Sequence, residues 1–134
     1  MYRIMIVEDD EVIARAVQQS LVSWGMDAFC VQDFSSVLAE FAVKNPQLVL
    51  MDIHLPFFNG FHWCQEIRKV SKVPVIFLSS ASDNMNIIMA VNMGGDDFIA
   101  KPFDLSVLTA KVQAMLRRCL LYTSPSPRDK RQSR

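Results

Sequence analysis

The stretch LVLMDIHLPFFNG, residues 48–60, contains the apolar run that decides the fold class of this chain, and the run ends on a carboxylate. Residues 48–51 form a short continuous apolar run, a pattern typical of strands that are covered on both faces. The run leads directly into Asp52, and a proline-containing loop then closes on Asn59 and Gly60. An acid at the end of a buried strand suggests that function resides at the strand ends.

Four other runs of residues have the character of a strand. Each of the five predicted strands is followed by apolar residues at helical spacing. Strands are predicted at Arg3–Val7, 28–31, 48–51, 74–78 and 97–100. The helical markers are Ile13, Val17, Leu21 and Trp24; Val37, Leu38, Phe41 and Ala42; Phe61, Cys64 and Ile67; Ile87, Ile88 and Val91; and Leu105, Leu108, Val112 and Leu116. This alternation predicts right-handed βαβ units. We therefore expect an α/β fold, a flavodoxin-like (βα)5 doubly wound five-stranded parallel sheet in a single domain.

Composition excludes several classes of protein. Hydrophobic residues make up 51% of the 134 residues, but no apolar run approaches the ~18 residues that a membrane span needs. We therefore expect a cytoplasmic protein with no membrane contact. The three cysteines include no CxxC pair, which argues against a disulfide framework or a zinc site. Residues 1–118 contain 10 Lys and Arg against 13 Asp and Glu, so they carry no basic stripe for nucleic acid.

Polar residues follow the predicted strands, and these are the candidates for chemistry. They are Glu8, Asp9, Asp10, Glu11, Asp52, Ser79, Ser80 and Lys101. The carboxyl ends of parallel strands meet at one edge of a sheet, where several carboxylates repel one another unless a cation offsets them. Mg²⁺ is the predicted cofactor because it binds through one or two carboxylates together with phosphate and water. A lysine and a hydroxyl beside it would form a pocket for a phosphoryl group.

Each of these residues, taken alone, also fits a simpler role. The acids after the first strand can cap the first helix, and we expect Asp10 and Glu11 to do largely that. Asp52 can be a turn residue, Lys101 a solvated surface lysine and Ser79 a local hydrogen-bonding group. All of them at the expected strand ends favour a functional site over coincidence.

The motifs IVEDD, LVLMDIHLPFFNG, PVIFLSS and GGDDFIAKPF together resemble the receiver domain of bacterial two-component response regulators. The resemblance covers residues 1–118 in order. It implies that Asp52 is the phosphoacceptor and that a sensor histidine kinase is the phosphodonor. It also implies that Mg²⁺ is held by Glu8, Asp9, Asp52 and the backbone carbonyl of His54.

The same resemblance assigns further roles. Lys101 would pair with the phosphoryl group, and the Lys101–Pro102 peptide bond would be cis. Ser79 would move its hydroxyl to a phosphoryl oxygen, and Phe98 would be the aromatic switch that rotates when Ser79 moves. Such a receiver catalyses only its own phosphorylation and dephosphorylation, so we do not class it as an enzyme.

The sequence is most similar to the OmpR-type subfamily, whose receivers are joined to a winged-helix DNA-binding domain. This implies transcription regulation, with DNA contacted only through that C-terminal domain. It also implies a homodimer, when phosphorylated, through the fourth helix, fifth strand and fifth helix. Residues 84–95 contain no charged residue, although Asp97 and Lys111 remain as a possible pair. The methionine-rich 84–95 segment resembles regulators that answer to kinases coupled to peptide-antibiotic transporters.

Residues 119–134 depart from this pattern. Their Ser, Pro and basic composition predicts a disordered tail, and CLLYTSPSPRD also looks like an in-frame translation of a transposon-library sequencing adapter. We therefore expect a receiver at 1–118, a non-native tail at 119–134 and no winged-helix domain in this chain. A natural linker is the alternative.

Two other functions stay open at this point. One is a stand-alone receiver that signals by protein binding. The other is an aspartyl-phosphate phosphatase of the haloacid dehalogenase type, which would need a second aspartate where this chain has His54. The aromatic pair Phe57 and Phe58 beside the site is either the edge of the core or part of a kinase-docking surface.

Overall fold

The computed structural model describes residues 2–80 and 95–123. Five strands are present: β1 (Arg3–Val7), β2 (Asp27–Cys30), β3 (Leu48–Asp52), β4 (Val75–Ser80) and β5 (Asp97–Lys101). The described helices are α1 (Glu11–Ser23), α2 (Val37–Lys44), α3 (Gly60–Arg68) and α4 (Leu105–Thr123). Helix α4 corresponds to the fifth helix predicted from the sequence. The predicted helix marked by Ile87, Ile88 and Val91 lies outside the described residues.

All five strands are parallel, in the order β2-β1-β3-β4-β5. The chain moves outward from β1 to β2 and then returns to place β3 on the other side of β1. The strand order therefore reverses at β1 and β3, and a crevice forms beyond the carboxyl ends of those two strands. The predicted doubly wound parallel sheet is confirmed, and both acidic segments lie at this crevice.

Alternating residues of each strand enter two separate cores, as the two-residue period of a strand requires. One core packs against α1 and α4 and includes Ile4, Ile6, Leu48, Leu50, Ile76 and Leu78. The other packs against α2 and α3 and includes Met5, Val7, Val49, Met51, Val75 and Phe77. Each fully buried side chain of this size contributes about 1.5–3 kcal/mol. The central strands are therefore rigid and fix the positions of the residues at their ends.

Capping sets the limits of α1. The Asp10 carboxylate accepts hydrogen bonds from the backbone N–H groups of Val12 and Ile13 at 3.0 and 3.3 Å, which satisfies two of the donors left open at a helix N-terminus. Glu11 occupies the first turn. The helix ends at Ser23, and Gly25 follows at φ 88°. The predicted capping role of Asp10 and Glu11 is confirmed.

Trp24 was predicted to extend the apolar stripe of α1, and this was wrong. The residue lies just beyond the helix, and 60% of it is exposed. The stripe stops one turn earlier, at the buried Leu21, since the chain leaves the helical path before Gly25.

The disorder predicted from residue 119 onward needs correction for residues 119–123. Helix α4 continues to Thr123, so residues 119–123 are helical rather than disordered. Cys119 is half-buried and packs against the core shared by α1 and α4, which explains why the helix extends past Arg118. No described helix is long and apolar enough to span a membrane, and the three cysteines carry no disulfide bond.

Candidate functional site

Three carboxylates meet where β1 and β3 end. Glu8 follows β1 and is only 3% exposed, while Asp52 is the last residue of β3 and is 4% exposed. The adjacent Asp9 is exposed. One carboxylate oxygen from each residue lies within 4.8 Å of the others. Hard oxygen ligands at this spacing, two buried and one open to solvent, fit a hydrated divalent cation such as Mg²⁺.

Lys101 places a positive charge against this cluster. It is the last residue of β5, and its Nζ lies 2.7 Å from Oε1 of Glu8 and 3.4 Å from Oδ1 of Asp52. The side chain is one-quarter exposed, so the ammonium bridges the buried acids and the solvent. The Lys101–Pro102 bond that follows is cis, as the resemblance implied.

Burial and charge act on the two partners differently. Burial raises the pKa of Glu8, and although the hydrogen bond from Lys101 opposes this, the nearby Asp52 charge adds to it. For Lys101, burial alone would lower the pKa, but the hydrogen bond to Glu8 and the Asp52 charge outweigh it and raise the pKa. The lysine is therefore held as a cation, whereas burial disfavours the charged form of Glu8.

Ser79 and Phe98 lie on β4 and β5. Ser79 is 1% exposed and opposite Ala100 in the register, while Phe98 is opposite Phe77. Phe98 is half-buried and packs on the core beneath α2 and α3. The hydroxyl-bearing residue and the aromatic residue therefore lie two positions apart on paired strands, Ser79 at the carboxyl end.

The segment after Asp52 is tied back to the strand that it leaves. Gly60 donates its N–H to the carbonyl of Ile53 at 2.9 Å. A Cβ at Gly60 would collide with the Asp52 carbonyl oxygen, so only glycine allows this close approach. The sequence pattern marked Gly60 only as the end of the loop, although a glycine that opens a helix after the capping Asn59 was a usable signal.

Residues 54–59, between Ile53 and Gly60, are largely exposed. His54 is exposed, and Phe57 and Phe58 are 77% and 46% exposed, so the interpretation of the pair as core edge was wrong. Phe58 stacks on His62 with ring centroids 4.3 Å apart. His62 is half-buried as a result, and its ring also makes an edge-on contact with the Trp63 ring.

The comparisons with known proteins agree with this geometry. The family model described as "Response regulator receiver domain" matches residues 4–113. The doubly wound parallel sheet, with an acid cluster and a lysine at its carboxyl edge, is that of a receiver-type signalling domain. The chain belongs to the response regulator receiver domain family.

Individual relatives narrow the placement within the family. The chain is 47% identical over 127 residues to the sensory transduction protein BceR of Bacillus subtilis and 38% identical over 126 residues to the response regulator protein GraR of Staphylococcus aureus. These alignments cover 94% of this chain but 55% and 56% of the relatives. The chain therefore spans about half the length of the curated relatives that it matches.

Solved structures give the same result for the fold. The N-terminal domain of the nisin resistance regulator NsrR, a lantibiotic response regulator, is 48% identical with a TM-score of 0.80, covering 87% of this chain and 98% of that one. A two-component response regulator from Clostridium difficile is 27% identical with a TM-score of 0.84, covering 89% of this chain and 98% of the other.

Proposed function

We propose that this chain accepts a phosphoryl group on Asp52 from the phosphohistidine of a sensor histidine kinase, and that Mg²⁺ is required. The observation that supports this most strongly is the Lys101 ammonium, which touches both Glu8 and Asp52 at the reversal point of the sheet. A purely structural ion pair would need one acid. Three acids and one lysine leave a net negative charge that a cation can neutralise.

The chemistry follows from the position of Asp52. One carboxylate oxygen attacks phosphorus, an O–P bond forms, and the N–P bond of the phosphohistidine breaks with its electron pair going to the imidazole nitrogen. Asp52 would serve as the nucleophile because it is the last residue of its strand and lies farther from Lys101 than Glu8 does. Lys101 is held as a cation and is close enough to follow the charge onto the phosphoryl oxygens.

Glu8, Asp9 and Asp52 would hold the metal, together with the backbone carbonyl of His54. Mg²⁺, when bound, supplies positive charge against the phosphoryl oxygens as charge develops on them. The neutral ligands it needs beyond the carboxylates come from water and backbone, and the exposed Asp9 leaves the site open to them. The receiver would then also catalyse removal of its own phosphoryl group.

Ser79 and Phe98 would transmit the change. An added phosphoryl group at the end of β3 attracts the Ser79 hydroxyl from neighbouring β4, and Phe98 then turns further into the space beside it. The half-buried state of Phe98 supports this role, since only part of its ring is packed against the core beneath α2 and α3.

For the intact protein, the proposal includes regulation of transcription. This would depend on the region by which the curated relatives are longer than this chain. DNA would be bound there by a winged-helix domain. Phosphorylation would favour a homodimer through the face that contains β5 and α4, where Lys111 and Asp97 form a pair at 3.2 Å within the chain. The identity with a lantibiotic response regulator supports peptide antibiotics as the class of stimulus. The sensor histidine kinase would phosphorylate this receiver in the cytoplasm.

Labelling by acetyl phosphate tests the central step. The unmodified chain with Mg²⁺ should gain one phosphoryl group by intact mass, and Asp52→Ala should gain none. Omission of Mg²⁺ should also abolish labelling of the unmodified chain. Labelling of Asp52→Ala at the normal rate would overturn the proposal.

A further inference from the structure

Strand β5 carries Lys101 to the site, yet the core holds this strand less firmly than its neighbours. It is an edge strand, since its one neighbour among the described strands is β4. Ile99 is buried and the other four residues of β5 are half-buried, whereas all five residues of β3 are buried. Burial of one face is what specifies the register of a strand. A further contact is therefore needed to keep Lys101 against its acids.

Arg68 and Asp96 supply such a contact at the start of the strand. Arg68 is the last residue of α3, and Asp96 immediately precedes β5. The Arg68 guanidinium donates one N–H to the Val73 carbonyl oxygen and another to the Asp96 carboxylate, the latter at 2.8 Å. The same carboxylate oxygen accepts the Val75 N–H at 2.8 Å, and the Asp96 N–H donates to the Val75 carbonyl oxygen at 2.8 Å. These bonds join α3 to the first residues of both β4 and β5.

This pair differs from an ordinary surface ion pair. The side chains of Arg68 and Asp96 are 24% and 39% exposed, and a planar guanidinium can bond two acceptors in a fixed geometry. The adjacent Lys69 is 69% exposed and pairs with Glu66, three positions away at the end of the same helix. The first pair connects segments that are distant in sequence, and the second connects neighbours. Lys69 is therefore a matched control for Arg68.

The position of Lys101 depends on the register of β5. Lys101 is five residues beyond Asp96, roughly 16 Å along an extended strand. A shift of one residue would turn every side chain of β5 to the other face and move it by about 3.3 Å. The Lys101 ammonium could not then keep its contacts of 2.7 Å with Glu8 and 3.4 Å with Asp52. A fixed start of β5 is thus a condition for the charge arrangement at its end.

We infer that Arg68, through Asp96, is a positioning residue for Lys101. It holds the start of β5 so that the ammonium at the other end stays between Glu8 and Asp52. Arg68 lies at the amino edge of the sheet, opposite the site, so its effect on the site has to pass along the strand. The inference rests on the proposed function, because the role of Lys101 in phosphoryl transfer belongs to that proposal.

The test is Arg68→Met in the full chain, with Mg²⁺ binding measured by isothermal titration and phosphorylation by the rate of labelling with acetyl phosphate. If the ammonium moves away from the acids, Mg²⁺ meets less repulsion, and its dissociation constant should fall about threefold. The phosphoryl group loses its counter-charge, so labelling should slow roughly tenfold. A general loosening of the fold would instead weaken Mg²⁺ binding. Lys69→Met should change neither quantity.

Two further measurements show whether the effect passes through β5 and Lys101. In a Lys101→Met background, Arg68→Met should leave Mg²⁺ binding and labelling as they are, because the group that it positions is gone. Hydrogen exchange in EDTA should be faster for the amides of residues 97–101 in Arg68→Met than in Lys69→Met, since the start of the strand is released.

The contrary outcomes differ from one another. Unchanged Mg²⁺ binding or unchanged labelling in Arg68→Met overturns the inference, and so does weaker Mg²⁺ binding together with slower labelling. The same slowing with and without Lys101 would show that Arg68 acts by another route. Should Arg68→Met fail to unfold cooperatively, Asp96→Asn replaces it with the same expectations, since it keeps an oxygen for the Val75 N–H and removes the charge. No labelling of the unmodified chain would mean that the proposed function itself fails.

Discussion

The Lys101 ammonium lies closer to Glu8, at 2.7 Å, than to the proposed phosphoacceptor Asp52, at 3.4 Å. The lysine therefore neutralises part of the charge that a bound cation would also offset. A cation that binds between the same carboxylates has to work against this ammonium. The relationship between Lys101 and Glu8 thus links metal affinity to the position of the lysine.

Lys101→Met should tighten Mg²⁺ binding while slowing phosphorylation. Removing a positive charge near the cation removes a repulsion of about 1 kcal/mol at solvent-like screening, so the dissociation constant should fall roughly fivefold. Isothermal titration with MgCl₂ measures it. Lys111→Met, whose lysine pairs with Asp97 away from the site, is the control. Equal or weaker Mg²⁺ binding by Lys101→Met would contradict the expectation.

Glu8→Gln should stabilise the metal-free protein at about pH 8. Burial raises the pKa of Glu8 above its usual 4.5, so its contribution to stability is fully present below that value and is lost as pH rises through the folded-state pKa. Glutamine resembles the neutral form at every pH. In the unmodified chain Lys101 stays charged over this range, since its own pKa is raised above the usual 10.5.

Urea unfolding in EDTA from pH 8 down to pH 4 measures this difference. The gap between Glu8→Gln and the unmodified chain should close as the pH falls. An unmodified chain that becomes more stable than the variant as the pH rises would show that the charged form of Glu8 is favoured by the fold.

Asp9→Asn should abolish the thermal stabilisation by Mg²⁺ without affecting the metal-free protein. Asp9 is exposed, so its replacement costs the fold little. At a Mg²⁺ concentration one hundred times the dissociation constant, binding stabilises the folded state by about 2.7 kcal/mol. Calorimetry with and without Mg²⁺ measures the shift. Glu11→Gln, in the first turn of α1, should keep the full shift, and a full shift in Asp9→Asn would exclude it as a ligand.

Gly60→Ala should impair both stability and phosphorylation, because its Cβ would press on the Asp52 carbonyl. Such overpacking costs about 1–3 kcal/mol and displaces the end of β3. Gly25→Ala is the matched control. It has positive φ and open space around it, so it should cost about 1–2 kcal/mol of backbone strain and leave acetyl phosphate labelling intact. Equal labelling of both variants would refute a positioning role for Gly60.

The fold could be predicted from the sequence because its central strands are buried on both faces. Runs such as residues 48–51 have no polar interruption, and a short run of this kind between turn residues is typical of a strand inside a parallel sheet. The errors fall where the chain leaves a regular element. Trp24 fits the spacing of α1, but the helix ends one residue earlier, and spacing alone does not report that.

Within the site, the residue types were predictable and their environments were not. Glu8 and Asp9 are adjacent acids in the sequence, yet one is buried and the other exposed. The positive φ of Phe57 and the contact between Gly60 and the Asp52 carbonyl are properties of the backbone path through the loop. Local sequence preference does not determine that path, because tertiary contacts override it.

Reductive trapping of the phosphorylated chain tests the central claim most directly. After acetyl phosphate and Mg²⁺ treatment, borohydride reduces an aspartyl phosphate to homoserine, and peptide mass spectrometry locates it. We predict homoserine at position 52 alone, and none when Mg²⁺ is omitted. Reduction of another acid such as Glu8 or Asp9 to its alcohol, with residue 52 still aspartate, would contradict the assignment of Asp52 as the phosphoacceptor.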